Sequence, residues 1–436
     1  MVFLNKYIAI RKKYFTFAKG YSSDVISENK FIHYLYMKSF KALLVAFMAI
    51  VMQLAVACNN DEPQTPQPEP PVQEQPQPLT ESHTLTIFMQ GNNGLAEFMD
   101  SNLQRILASY YDMPEGDFRI FVFYDRGNYT RLTELYMNDG MAKQRLVEEY
   151  ETSVSTVDKE FMRSVLTKVK EEAPADSYGL ILSSHGGGWV PSDLYDVYLL
   201  NEGTRSDTPQ AHPLFYAQDD YDCMEIPDLV EALSDTHYNY IIFDACFMAN
   251  IEALYDLRNS ADYIVASAAE VLGAGFPYET MIPMIFEYDD HSLKAICKSY
   301  MEYYKASSGT VALIDCKQLE PLAEAMHAVM AEMGEVDVDD VQAYDAFDYH
   351  LYFDLLHYVE LGVENSSAFE KALNKAVLYS GHTDTILTAT GDVDSFELTR
   401  SCGLSCYILQ EDCPATEAAW RETAWAKAVT EKHSKY

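Results

Sequence analysis

From residue 83 to the end, the pattern of apolar and polar positions alternates between compact apolar runs and apolar residues at helical spacing. Compact runs bounded by turn residues predict buried strands, and apolar residues three or four positions apart predict helices. Strands are predicted at His83–Met89, Phe118–Tyr124, Tyr178–Ser183, Tyr238–Phe243 and Val311–Ile314. Helices are predicted at Leu95–Tyr110, around Val157 to Val169, and at Ile226–Ser234, Asn250–Asn259, Leu293–Ser307, Gln318–Met333 and Ala368–Tyr379. This alternation predicts an α/β fold with a mainly parallel sheet covered on both faces.

Two of these strands end in residue types that can carry out chemistry. His185 and a run of three glycines follow one strand, and Cys246 follows another. Because parallel strands present their carboxyl ends at one edge of the sheet, we expect His185 and Cys246 to lie side by side. An imidazole next to a thiol raises its reactive fraction, and the N–H groups of Gly186 and Cys246 could stabilise an oxyanion. A single cysteine is by itself a weak signal, since most free cysteines are small buried apolar residues.

The sequence around these two residues resembles that of the clostripain-like cysteine peptidases, peptidase family C11. The resemblance lies in SSHGGGW, which contains His185, and in DACFMANIEALYDLR, which contains Cys246. Further segments that resemble the family are Thr84–Asn93, Ser267–Tyr278, Tyr352–Leu356 and Gly403–Tyr407. The resemblance implies a caspase-like αβα sandwich with a mainly parallel central sheet and a largely helical C-terminal extension. It also implies a cysteine endopeptidase that works through a His185/Cys246 dyad and a thioester acyl-enzyme, with no cofactor required.

Two carboxylates are candidates for substrate binding. In the family that the chain resembles, the Asp that matches Asp244 lines the pocket for the residue before the cut bond, and a carboxylate there would pair with Arg or Lys. The alternative is that Asp244 only bonds loop amides at its strand end. Glu270 is a second, weaker candidate. The same resemblance implies that Arg205 could be an internal processing site, although an ordinary surface loop is the interpretation that we favour.

The N-terminal part has the composition of an export signal rather than of a domain. Residues 1–36 are predicted to be dispensable or not translated, and residues 37–57 resemble a bacterial lipoprotein signal peptide with Cys58 as the lipidated residue. Residues 58–82 are rich in Pro, Gln and Glu and are predicted to be an extended tether. The acidic residues directly after Cys58 resemble the surface-export signal of Bacteroidetes lipoproteins. An uncleaved membrane anchor or a soluble secreted protein are the alternatives.

The remaining chain is predicted to comprise a caspase-like catalytic core, residues 83–290, and an extension that completes the peptidase, residues 291–436. The acidic clusters at Asp337–Asp340 and Asp392–Asp394 offer the oxygen ligands that calcium prefers, but neither has EF-hand spacing, so solvated acidic loops are favoured. The eight cysteines show neither a disulfide framework nor zinc spacing. If Cys402 and Cys406 shared one strand, they would lie too far apart for a disulfide.

Charge bears on the choice of partners. The formal net charge is −36. It becomes −42 without the first 57 residues, which hold eight Lys or Arg and two Asp or Glu. Such a field repels nucleic acid and anionic membrane surfaces and attracts cationic peptides. We therefore expect peptide or protein substrates with basic residues, no nucleic acid, and contact with the membrane only through the lipid. The protein is also expected to be a monomer. Two rivals stay open: a non-catalytic surface-binding lipoprotein, and a transpeptidase or amidase using the same dyad.

Overall fold

The computed structural model describes residues 82–192, 216–220, 222–286, 290–389, 393–410 and 414–430. The predicted signal peptide, its Cys58 and the loop that carries Arg205 lie outside these residues. The described strands are β1 (His83–Gln90), β2 (Phe118–Asp125), β3 (Thr130–Asn138), β4 (Met141–Tyr150), β5 (Ser177–Ser183), β6 (Tyr216–Asp219), β7 (Asp222–Met224), β8 (Tyr238–Asp244), β9 (Ala261–Ala266), β10 (Thr310–Asp315), β11 (Phe353–Asp354), β12 (Val377–His382), β13 (Thr385–Leu387), β14 (Ser395–Glu397) and β15 (Ser405–Cys406).

The central sheet has nine strands in the order β12-β10-β9-β8-β5-β1-β2-β3-β4. The five strands from β9 to β2 run parallel to one another. Antiparallel pairs extend the sheet at both edges, β3 and β4 on one side and β10 and β12 on the other. The strands that carry the candidate site, β5 and β8, are therefore central and buried, which is where a parallel sheet delivers side chains to its carboxyl edge.

Helices cover both faces of this sheet. They are α1 (Ala96–Ser109), α2 (Lys159–Glu172), α3 (Ile226–Leu233), α4 (Ile251–Leu257), α5 (Tyr278–Ile285), α6 (Asp290–Tyr304), α7 (Leu319–Met330), α8 (Leu355–Gly362), α9 (Ser367–Ala376), α10 (Pro414–Glu422) and α11 (Ala424–Thr430). One core lies between the sheet and α1, α5 and α6, and the other lies between the sheet and the remaining helices. Each inner strand contributes alternate residues to the two cores, so it reads as a continuous apolar run.

The hairpin of β3 and β4 was not foreseen from the sequence, although its turn has a recognisable signal. Asp139 and Gly140 form a two-residue loop in which both residues have a positive φ, 53° and 72°. Such a loop matches the twist of the flanking strands and favours Asp-Gly. The charged residues of β4 fit its place at the edge of the sheet.

Two expectations for the C-terminal part are corrected. The helix predicted at Ala368–Tyr379 ends at Ala376, and Val377 begins a strand that pairs with β10. The apolar spacing continues past Ala376, but branched and aromatic side chains pack well in a sheet, and pairing with β10 prevails over local helical periodicity. Cys402 lies outside β15, so it does not share a strand with Cys406, and both are free thiols.

The C-terminal part also contributes to the central sheet. Strands β10 and β12 lie beyond residue 290, yet they join the sheet that holds β1 to β9. The predicted division between a core of residues 83–290 and an extension of residues 291–436 stays a prediction. Near the candidate site, β11 pairs with β15, and Ser405 forms a parallel bridge with Asn250 just after the Cys246 loop.

Candidate active site

His185 and Cys246 follow neighbouring parallel strands at matching positions. The register of β5 and β8 sets Ser183 opposite Asp244. Each of these residues is followed two positions later by a candidate catalytic residue, and both candidates are partly exposed. The structure therefore brings the two strand ends, with His185 and Cys246, to one part of the carboxyl edge of the sheet.

The two loops approach each other so closely that one of them requires glycine. A Cβ atom added at Gly186 would lie 2.5 Å from the carbonyl oxygen of Cys246 and 3.1 Å from its nitrogen. Real Cβ atoms do not come so close to backbone, so a larger residue at Gly186 would separate the loops. The first of the three glycines therefore sets the distance between the histidine loop and the cysteine loop.

The thiol of Cys246 lies against the backbone of Val271. The Val271 N–H donates a hydrogen bond to Sγ at 3.2 Å, and Sγ lies 3.8 Å from the Val271 carbonyl oxygen. The pKa of this thiol is raised to about 12, chiefly by burial and also by the negative charge of Glu270, while the hydrogen bond from the Val271 N–H acts in the opposite direction. In this arrangement the thiol is protonated at neutral pH, so a base must remove its proton for it to act as a nucleophile.

The sequence analysis assigns the N–H groups of Gly186 and Cys246 to an oxyanion hole. Among the described residues, neither the N–H of Gly186 nor that of Cys246 donates to a backbone carbonyl. The histidine loop is held instead by a hydrogen bond from the Ala217 N–H to the His185 carbonyl oxygen, 2.9 Å. An oxyanion hole needs N–H groups close to the nucleophile, and the assignment of these two groups to that role stays a prediction.

Asp244 is buried beneath Cys246 and has partners of its own. Its Oδ2 accepts hydrogen bonds from the hydroxyls of Tyr278, at 2.6 Å, and Ser183, at 3.2 Å. Burial raises the pKa of this carboxyl, and the hydrogen bonds from Tyr278, Ser183 and the Phe276 backbone lower it, as does the charge of Arg105. Asp244 therefore accepts a hydrogen bond from a loop amide, which fits a structural role at its strand end. Its role in a substrate pocket stays a prediction.

A turn that sequence reasoning did not assign closes over Asp244. A Cβ atom at Gly275, where φ is +62°, would lie 2.4 Å from the Asp244 carboxylate, so only glycine fits. Arg105 donates to the Ala274 carbonyl at 2.6 Å, and the Tyr304 hydroxyl donates to the Gly275 carbonyl at 2.6 Å. These two side chains come from α1 and α6, so no local pattern in the sequence reveals that they support this turn.

Comparison with known proteins identifies the family. The profile of the clostripain family, the C11 peptidases, matches residues 87–431. This chain belongs to the clostripain family.

Among solved structures, the chain is similar to an inactive zymogen C11 protease from Parabacteroides distasonis, with 29% identity and a TM-score of 0.71 over 81% of this chain and 99% of that chain. It is also similar to a secreted C11 cysteine protease from Bacteroides thetaiotaomicron, solved in complex with an irreversible peptide inhibitor, with 27% identity and a TM-score of 0.70 over 80% of this chain and 98% of that chain. These likenesses confirm the predicted caspase-like α/β fold.

Clostripain from Hathewaya histolytica is a more distant relative. It is 22% identical over 233 residues, which make up 46% of this chain and 42% of clostripain. The match therefore spans less than half of the length of that curated relative.

In this member of the clostripain family, Glu270 is engaged by a loop. Its carboxylate accepts hydrogen bonds from the hydroxyl of Thr388 and from the N–H of Ala389, the latter at 2.9 Å. Both residues follow β13, so Glu270 ties this loop down beside Cys246. This arrangement gives Glu270 a structural role and an electrostatic effect on the thiol, and its part in binding substrate stays a prediction.

The turn after β1 lies beside the candidate site, and the sequence analysis did not assign it. An added Cβ at Gly94 would lie 3.9 Å from His185 Nε2, so this turn borders the imidazole. The Asn93 amide donates to the carbonyls of Gln90 and Gln218, at 2.9 and 2.8 Å. The sequence feature that could have predicted this turn is Gly-Asn-Asn-Gly directly after a buried strand.

The acidic residues at Asp337–Asp340 form a short 3₁₀ turn in which Asp337 accepts a hydrogen bond from the Asp339 N–H at 3.2 Å. Within the described ranges, no group of three or more His, Cys, Asp or Glu side chains is arranged to hold a metal ion. Residues 390–392, and with them Asp392 of the second cluster, lie outside the described residues. Calcium binding stays untested. None of the described helices is both long enough and apolar enough to cross a membrane.

Proposed function

We propose that this chain is a cysteine endopeptidase in which His185 and Cys246 are the catalytic dyad. The observation that carries the proposal is the register of β5 and β8, which puts these two residues at matching positions in a member of the clostripain family. Sγ of Cys246 attacks the scissile carbonyl while His185 accepts the thiol proton. His185 then gives that proton to the leaving amine as the C–N bond breaks. Water hydrolyses the thioester and regenerates the thiol.

The high pKa of the Cys246 thiol favours one version of this mechanism. A thiol with a pKa of about 12 is not a preformed thiolate, so proton transfer to His185 accompanies the attack on the carbonyl. The negative charge then develops on the carbonyl oxygen of the substrate. The N–H groups of Gly186 and Cys246 would donate to this oxyanion.

We further propose that Asp244 gives the enzyme its preference for Arg or Lys before the cut bond. Burial raises the pKa of Asp244, which means that the ionised carboxylate is poorly compensated in its present surroundings. A cationic substrate side chain would supply the missing charge. The charge of Arg105 lowers the pKa of Asp244, but its guanidinium is already bonded to Glu279, at 2.9 Å, and to the Ala274 carbonyl.

A peptide panel that varies only the residue before the cut bond tests both proposals. Substrates with Arg, Lys, Asp, Asn, Gln, Ala and Leu would be compared on the wild type and on Cys246→Ala, which should abolish all turnover. Asp244→Asn should lower kcat/KM for Arg and Lys by roughly 100-fold, as loss of a buried charge pair does, and leave the neutral peptides little changed. Unchanged Arg and Lys rates would refute the pocket assignment.

Asp256→Asn is the matched control for this substitution. Asp256 lies on α4, and burial raises its pKa as it does that of Asp244. The control removes a partly buried carboxylate away from the proposed pocket, so it should leave the preference for basic residues intact. An equal loss on all peptides for Asp244→Asn would mean that Asp244 supports only the fold of the site.

The same panel separates the rival functions. A non-catalytic binding lipoprotein is the second candidate. Absence of cleavage of any peptide, including after limited trypsin nicking and with added calcium, would support it. If the dyad acts as a transpeptidase, added amines would appear joined to the acyl product. Calcium dependence is tested by comparing activity with and without a chelator. Internal processing is tested by comparing the chain sizes of the wild type and Arg205→Ala on a denaturing gel.

We propose that the protein is exported and anchored through a lipid on Cys58, at the outer membrane and exposed at the surface. This proposal is supported by the lipoprotein-like sequence of residues 37–58 and by the acidic residues that follow it. Metabolic labelling with a fatty-acid analogue should mark the wild type and not Cys58→Ala. Label retained by the variant would contradict the anchor, and protease added to intact cells tests exposure.

A further inference from the structure

Tyr352 joins the two catalytic loops although it lies in the C-terminal part of the chain. Its side chain is fully buried. The hydroxyl donates a hydrogen bond to the Gly187 carbonyl at 2.5 Å, and the ring stacks on Phe247 with centroids 4.4 Å apart and planes at 10°. Gly187 lies two residues after His185, and Phe247 directly follows Cys246. A single side chain therefore contacts the loop of the proposed base and the loop of the proposed nucleophile.

Both loops have a conformation that calls for outside support. Gly186, Gly187 and Gly188 have no side chains with which to fix their backbone. Phe247 has a φ of +59°, a region that is costly for a residue with a side chain. The packing around Tyr352 is tight, since a Cβ atom at Gly188 would lie 3.1 Å from its ring and 3.0 Å from the Phe247 carbonyl oxygen. Strained backbone persists where surrounding contacts hold it, and Tyr352 provides such contacts to both loops.

The position of Tyr352 is itself fixed by Asp345. The buried carboxylate of Asp345 accepts hydrogen bonds from the N–H groups of Leu351 and Tyr352, each at 2.9 Å. It also accepts from the Phe347 N–H at 3.0 Å and pairs with His350 Nδ1 at 2.8 Å. The Tyr352 carbonyl accepts from the Tyr344 N–H at 2.8 Å. Several bonds to one buried acceptor make this a rigid loop, so Tyr352 reaches the site as part of a preformed support.

We propose that Tyr352 is a positioning residue for the reaction of His185 and Cys246. Its hydroxyl fixes the peptide that follows Gly187, and its ring fixes the turn that follows Cys246. The imidazole, the thiol and the two oxyanion donors thereby keep the relative positions that proton transfer and attack require. This inference rests on the proposed peptidase function. Because Tyr352 is fully buried and its hydroxyl bonds to the loop backbone, it should act on kcat and not on KM.

Tyr352→Phe tests the proposal, because it removes the hydroxyl and keeps the stacked ring. The Gly187 carbonyl would lose its partner, and kcat should fall roughly 10- to 100-fold with KM within about twofold. Tyr110→Phe is the matched control, since the Tyr110 hydroxyl also donates to a backbone carbonyl, that of Leu135 at 3.2 Å, away from the catalytic loops. The control should retain wild-type kcat. Equal kcat values for the two variants would overturn the proposal.

The second measurement needs no turnover. The rate of alkylation of Cys246 by iodoacetamide, followed against pH, reports how well the imidazole assists the thiol. We expect the profile of Tyr352→Phe to move to higher pH and that of Tyr110→Phe to match the wild type. Phe247→Leu removes the ring that stacks on Tyr352 and keeps the Tyr352 hydroxyl. The same alkylation profile can therefore be measured on this variant if Tyr352→Phe does not fold. Unmoved profiles in both site variants would refute the positioning role. A shifted profile in a protein that cuts no peptide would instead count against the peptidase function alone.

Discussion

Gly186→Ala is the change for which the structure gives the most direct magnitude. The added Cβ would lie 2.5 Å from the Cys246 carbonyl oxygen, 2.9 Å from the Ala245 Cβ and 3.1 Å from the Cys246 nitrogen. Two of these atoms are backbone, and all three belong to the segment that carries the nucleophile. The methyl group cannot be accommodated by the rotation of a flexible side chain, so the two loops must separate.

The required separation follows from the distances. Ordinary contact between such atoms begins near 3.4 Å, so the shortest of these distances must increase by about 0.9 Å. A displacement of about 1 Å between reacting groups can cost roughly 100-fold in rate. We expect kcat for the best basic peptide to fall by about that factor. The glycine has no positive φ, so the effect is one of contact and not of backbone strain.

The assay is steady-state cleavage of a fluorogenic peptide, together with active-site titration by an irreversible thiol-directed peptide inhibitor. Gly334→Ala is the control, since a Cβ there would lie 3.6 Å from the Gly362 carbonyl oxygen, an ordinary contact far from the dyad. The control should retain wild-type kcat. A Gly186→Ala enzyme that folds, titrates fully and turns over within threefold of wild type would refute the steric reasoning and the close approach of the loops.

Two further predictions concern acidic side chains. Glu270→Gln removes the charge that raises the pKa of the Cys246 thiol, so alkylation of Cys246 at pH 7.5 should speed up roughly threefold to tenfold, and an unchanged or slower rate would contradict the electrostatic effect. Glu252 accepts hydrogen bonds from the Tyr407 N–H and the Trp420 indole, each at 3.0 Å, and burial raises its pKa from 4.5 to about 7. Between these two pH values the folded state therefore binds more protons than the unfolded state. The free energy of unfolding should fall as pH rises through that window, by about 3 kcal/mol. Glu252→Gln keeps an acceptor and removes the charge, so urea unfolding at pH 5 and pH 8 should show a weaker pH dependence than in the wild type, and an equal dependence in both proteins would refute the assignment.

The central strands and the meeting of their ends could be predicted because the information is local. Each inner strand is a compact apolar run, and the rule that parallel strands share a carboxyl edge then brings the residues after Ser183 and Asp244 together. The predicted bounds differ from the observed bounds by one residue at β1, β2 and β8. The family was indicated by the sequence around His185 and Cys246, which resembles that of the clostripain-like peptidases. Hydrophobic periodicity alone cannot indicate a family.

The supports of the site could not be predicted because each depends on contacts between distant parts of the chain. Arg105 reaches the turn at Ala274 from a helix that precedes it by more than a hundred positions, and Tyr352 reaches Gly187 from the other direction. Their local patterns are those of ordinary helix and loop residues. The strand β12 was missed for a related reason, since the apolar spacing before Ala376 is helical and only pairing with β10 ends the helix.

The charges around the thiol limit how this site can work. Asp244 and Glu270 both raise the pKa of Cys246, and both act in addition to burial, so the resting site disfavours a thiolate. A mechanism that relied on a preformed thiolate would need these effects to be overcome before substrate arrives. If Asp244 accepts a cationic side chain as proposed, the substrate itself neutralises one of the two charges, and the cost of ionising Cys246 falls when the scissile bond is in position. The same carboxylate that selects a basic residue would then also make the nucleophile most reactive towards the peptides that carry one, so specificity would appear in kcat as well as in KM.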